Sequence, residues 1–110
     1  MSYADGRYTL LNSVSVAGAG GQVQWNGGPG VFSSTGTPGG SSVRLEYSPD
    51  PDANGNGVTW IPVDRSGDTY VTFTTLPAGG EFDLPPGPIR ANAVGGSPVS
   101  VSAYAAYAGS

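Results

Sequence analysis

Glycine and proline interrupt this chain so often that almost no window sets apolar residues at i, i+3, i+4 and i+7 without one intervening. With 19 glycines and 10 prolines in 110 residues, an amphipathic helix has nowhere to run. What survives between the interruptions is a period of two. Val43, Leu45 and Tyr47 alternate with Arg44, Glu46 and Ser48, and Val71, Phe73 and Thr75 with Thr72 and Thr74. Phe82 and Leu84 alternate with Glu81 and Asp83, and Ile89, Ala91 and Ala93 with Arg90 and Asn92. Near the start, "YTLLNSVSV" and "QVQW" direct Val14 and Val16, then Val23 and Trp25, to buried faces. "GVFSS" is a shorter candidate, and "TWIPV" is confined by Pro62 to an edge or a bulge.

Clusters such as "AGAGG", "NGGPG", "TGTPGG", "RSGD", "LPAGG", "LPPGP" and "VGGSP" separate these runs and read as reversals, because Gly supplies positive φ and Pro fixes φ. Short alternating strands with closely spaced turn signals predict an all-β protein. The expected form is an antiparallel β-sandwich or jelly-roll-like barrel of about eight short strands, one domain over residues 1–110. In the final stretch, Val99, Val101, Ala103 and Ala105 are expected on one face and Tyr104 on the other. Tyr107 falls back on the Val99 face, so the parity of the end is ambiguous. The stretch reads as a last strand closing a sheet, and Tyr104 or Tyr107 also suits a contact with another chain.

Disorder is the competing reading of so much Gly and Pro, but only 11% of residues are charged and apolar residues recur regularly. The net charge is −4, and the cations are Arg7, Arg44, Arg65 and Arg90 without any lysine. Nucleic acid, which demands clustered cations, is not an expected partner. No segment offers the roughly 20 apolar residues of a membrane-spanning helix. "MSYADGRYTLL" lacks the charged and apolar regions of a secretion signal, so none is expected.

With no His, Cys or Lys, a hydroxyl nucleophile has none of its usual activating bases and zinc none of its usual ligands. The carboxylates are Asp5, Glu46, Asp50, Asp52, Asp64, Asp68, Glu81 and Asp83. Glu81 and Asp83 share a strand face, as a glycosidase pair must share a cleft, but they flank Phe82 in the pattern of a solvent face. The chain is therefore expected not to be an enzyme, with no catalytic residue, cofactor or metal assigned.

"SPDPDANGNGVTW", residues 48–60, carries two further patterns. Asp50, Asp52, Asn54 and Gly55 fit the start of a calcium loop. Its twelfth position, however, is Ile61 rather than a bidentate Glu, and Asp64 or water would have to complete the shell. Asp, Asn, Gly and Pro are also what any long connection between strands contains. The second pattern, Ser48, Asp50, Gly57, Thr59 and Trp60, resembles a split Asp-box. In the β proteins that carry that motif, the Asp caps backbone amides of a hairpin turn and an aromatic ring packs beneath. Here extra residues part Asp50 from Gly57, so what carries over is that Tyr47 and Trp60 end two paired strands.

The two tryptophans, Trp25 and Trp60, read as core residues of alternating strands; the competing reading exposes them with a Tyr as a platform for sugar rings. Taken whole, "GRYTLLNSVSVAGAGGQVQWNGGPGVF", "SSVRLEYSPD" with "VTWIPV", and "FDLPPGPIRANAV" resemble the small all-β structural proteins of tailed bacteriophages. That resemblance implies a non-enzymatic virion protein assembled in the host cytoplasm, in particular a capsid decoration or cement protein. Its implied partners are the major capsid protein or other virion proteins, and it implies a homo-oligomer, trimer or dimer. The alternatives are a tail, neck or fibre-associated β module and a carbohydrate-binding β-sandwich.

Overall fold

The computed structural model describes residues 7–63 and 72–107, and these form strands and turns with no helix among them. In chain order the strands are β1 (Arg7–Val14), β2 (Gly18–Ala19), β3 (Val23–Trp25), β4 (Gly28–Thr37), β5 (Ser42–Tyr47), β6 (Ile61–Pro62), β7 (Thr72–Phe73), β8 (Ala78–Leu84), β9 (Gly87–Val94) and β10 (Val99–Tyr107). The first sheet runs β1-β10-β4-β8. The second runs β2-β9-β5-β6, with β3 also on β9 and β7 also on β5. Every pairing is antiparallel.

Two of the short pieces continue others. β2 faces Ala93 and Asn92, β3 faces Ile89 to Gly87, and between them Gly20 N–H donates to Ala91 O at 2.8 Å. They form one broken edge strand along β9. β6 and β7 likewise lie along the same edge of β5, opposite Tyr47–Glu46 and Arg44–Val43. Joined this way, each sheet has four strands, and the chain pairs first with eighth, second with seventh, third with sixth, and fourth with fifth. That winding is a jelly roll in two open sheets, without closure into a barrel. Pro62 sits on the outer edge, as its missing N–H requires.

The inward faces meet in one core containing Leu10, Leu11, Trp25, Phe32, Val43, Leu45, Phe73, Phe82, Ile89 and Val101. Ala91, Ala93, Ala103 and Ala105 are buried among them. Each fully buried large aliphatic or Phe side chain contributes about 1.5–3 kcal/mol. The ring of Phe32 on one sheet stacks on Phe73 of the other, centroids 5.4 Å apart.

Three expected inward positions are not buried. Val99 is 53% exposed, because β10 bulges between Val99 and Ser102, where Ser100 takes φ 51° and reverses the parity. Val16 is 76% exposed, since β1 ends at Val14 after a register shift at Ser13, φ 50°. Serine hydroxyls anchor both irregularities: Ser13 N–H donates to Ser102 Oγ and Ser100 N–H to Ser15 Oγ. Thr75 is exposed beyond β7, and Val71 lies outside the described residues, as does the whole "RSGD" turn. Several glycine clusters expected to be turns instead run into strands. Gly28 and Gly30 belong to β4, and Gly79 and Gly80 to β8. At Gly30 the reason is contact: a Cβ there would collide with the rings of Trp25 and Phe82.

Candidate functional site

The polar residues with the most structure around them gather on the outer face of the second sheet, under residues 48–60. β5 places Arg44 and Glu46 outward because Val43 and Leu45 take the core, and β9 places Arg90 and Asn92 outward for the same reason. The register sets Glu46 opposite Arg90. Glu46 Oε1 accepts from Arg90 Nε at 2.7 Å. Its Oε2 accepts from Arg44 Nε and Nη2 at 2.8 and 2.7 Å, and from Asn92 Nδ2 at 3.1 Å. The side chain of Glu46 is 1% exposed. Burial alone raises its pKa, but the hydrogen bonds from Arg90, Asn92 and Arg44 prevail and hold the carboxyl below its ordinary 4.5. The alternation had set Glu46 on an outward, polar face; outward it is, but not in water.

Trp60 completes this cluster. It is half-buried, with the Arg90 guanidinium 4.3 Å from its ring centroid. The expectation that both tryptophans lie in the core therefore holds for Trp25, 1% exposed, and fails for Trp60. Trp60 precedes β6 and sits where the chain re-enters the sheet after the long connection, so it meets the outward side of β9 rather than the interior.

The loop itself is tied by its own side chains. Asp50 Oδ1 accepts from Thr59 N–H at 2.8 Å and from Ser48 Oγ at 3.1 Å, while Oδ2 accepts from Thr59 Oγ1 at 2.7 Å. Thr59's two hydrogen bonds, with Ser48's, hold the Asp50 carboxyl below its ordinary 3.8. Asp52 Oδ1 accepts from the N–H groups of Asn54 and Asn56 at 2.8 and 3.0 Å. Gln22 reaches over from the β3 edge: its Oε1 accepts Gly57 N–H at 2.9 Å, and its Nε2 donates to Asn56 Oδ1 at 3.0 Å. Gln24 Nε2 donates to Gly55 O at 3.1 Å. Gly57 packs so closely on Trp60 and Ser48 that a Cβ would overlap both.

Asp50 holds the far side of the turn and an aromatic ring lies beneath Gly57, an arrangement that resembles an enlarged Asp-box. Tyr47 ends β5, as the motif implied, but Trp60 stands just outside β6, whose Ile61 is the residue paired with Tyr47. The geometry speaks against calcium. Three of the oxygens that a cation would use, both of Asp50 and Oδ1 of Asp52, instead accept N–H and O–H donors, whose positive ends point at the site. Asp64, the candidate extra ligand, lies outside the described residues, as do Asp5 and Asp68. Among the described residues no three His, Cys, Asp or Glu side chains gather as a metal site.

Glu81 and Asp83 are both exposed on β8, consistent with a solvent face. Tyr107 is turned inward onto Trp25, and Tyr104 is half-buried on the opposite side of β10. Comparison with protein-family models, with curated proteins and with solved structures finds no match for this chain.

Proposed function

We propose that this chain is a non-enzymatic structural protein of a tailed-phage virion, a decoration or cement protein that binds the outer capsid surface and stabilises the shell. The jelly-roll winding is the observation that carries the reading, since viral capsid domains are commonly built on it. Lectins and cupins use the same winding, so the inference from fold to role is one of analogy. A second observation favours a scaffold over a catalyst. Charged side chains of the second sheet and its long loop are engaged within the protein, Glu46 with Arg44 and Arg90, and Asp50 with the neutral donors of Ser48 and Thr59. Trp60, with Arg90 over its ring, is a poor platform for a sugar, which leaves the carbohydrate-binding alternative behind. Copies bound across a symmetric lattice would turn weak contacts into firm attachment.

Purified virions test the proposal. The chain is expected in their outer shell, and particles stripped of it are expected to lose resistance to heat or osmotic shock. Its absence from virions would sink the proposal, and undiminished resistance would remove the cementing role.

A further inference from the structure

The four lateral edges of the two sheets are not alike. Along β1 the ladder is broken twice, between Thr9 and Leu11 and between Leu11 and Val14. The β2/β3 edge is broken around Gly20, and the β6/β7 edge is split into two two-residue pieces. Such breaks keep foreign strands from pairing. β8 alone, among the described residues, is an unbroken edge: its seven residues pair with β4 without a register shift, and its other side carries no described strand. Pro77 and Pro85, both lacking an N–H, bracket it.

The side chains along this edge define what fits beside it. Glu81 and Asp83 stand exposed on the outer face, and among the described residues neither has a hydrogen-bond or ion-pair partner. Gly79, on the same face as Glu81 and Asp83, leaves the strand bare, and a Cβ there would meet nothing closer than 3.7 Å. A twofold pairing of β8 with a second copy, centred on Glu81 or Phe82, would set Glu81 against Glu81 or Asp83. Like charges directly opposite destabilise a strand pair.

We infer that β8 is a strand-addition edge, and that its occupant is an antiparallel β-strand of a partner protein with cationic side chains at alternate positions, opposite Glu81 and Asp83. Main-chain hydrogen bonds supply the general affinity, the two carboxylates choose the partner and set its register, and Gly79 admits a large side chain from the incoming strand. This goes beyond the virion reading and does not depend on it, since its test needs no capsid.

The probe is a peptide of about ten residues alternating arginine with valine, with a glutamate–valine peptide as its counterpart. Backbone hydrogen exchange is followed along the whole chain. The arginine peptide is expected to protect amides of residues 78–84 and to bind about tenfold more weakly to the E81R/D83R variant. That variant, altered only at exposed positions, is expected to take up the glutamate peptide at the same amides. Protection elsewhere, no binding, or a variant that keeps the original preference overturns the inference. A peptide-free dimer with protected β8 amides overturns it in favour of a second copy.

Discussion

Trp25 and Tyr107 lie face to face, ring centroids 3.8 Å apart and planes within 13°, although β3 and β10 belong to different sheets. Tyr8 meets both rings edge-on at 6.2 Å, and Phe82 leans on Trp25 at 4.9 Å. Tyr107 also accepts Asn26 N–H on its hydroxyl at 2.7 Å. The cluster fastens the two sheets at the end that carries the long loop. Trp25→Ala is expected to cost about 3–5 kcal/mol. Tyr107→Phe, which keeps the stack and removes the acceptor, should cost about 1 kcal/mol. Urea unfolding of the two variants measures both.

Glu46 is a buried anion between two half-buried cations. Glu46→Gln is expected to cost about 2–3 kcal/mol, less than a fully buried pair because Arg44 and Arg90 still touch water. Its pKa is lowered on folding, so its contribution is fully present above its ordinary 4.5 and is lost as pH falls through the folded value. The stability gap between wild type and variant should be flat from neutral pH down to about 4.5 and close in stronger acid. Denaturant titrations across that range give the curve.

Gly57→Ala is expected to push Trp60 off its seat, because the added methyl overlaps both the indole and Ser48. Overpacking of this kind costs about 1–3 kcal/mol. The indole emission should shift to the red as Trp60 gains solvent, with Trp25 providing the constant buried background.

Calcium should leave the melting temperature where it is. Asp50 uses both carboxylate oxygens, and Asp52 one, as acceptors for the loop's own donors. Thermal unfolding with excess EDTA and with millimolar calcium is expected to superimpose, and a calcium-dependent rise would contradict the geometry.

The Asn56–Gly57 bond sits in a sequence prone to deamidation, in which the glycine nitrogen attacks the Asn carbonyl carbon, ammonia leaves, and water opens the resulting succinimide. Gln22 holds both reacting groups, taking Gly57 N–H and giving a hydrogen bond to Asn56 Oδ1. Gln22→Ala is expected to speed isoaspartate formation at position 56 several-fold, as peptide mapping after incubation at mildly alkaline pH will read.

The period of two was enough to place Val43, Leu45, Ile89, Ala91, Ala93 and Phe82 in the core. It failed where a bulge shifts parity, at Val99 and Val16, because αL serines at positions 13 and 100 leave no mark in the pattern. Glu46 shows a deeper limit. Alternation says which face a side chain takes, but only the β5–β9 register sets Arg90 opposite it, and only the loop's path brings Trp60 over Arg90. The roles of Ser48, Asp50, Gly57 and Thr59 were legible as a motif. Those of Gln22 and Gln24 were not, since their partners lie more than thirty positions away.

The order of the strands also governs how the protein is made. β10 lies between β1 and β4 at the centre of its sheet. On a translating ribosome, the first strand and the third have nothing between them until residues 99–107 emerge. The first sheet therefore cannot be completed until β10 has been made. β1 waits beside β4 for the strand that joins them, which is made long after both.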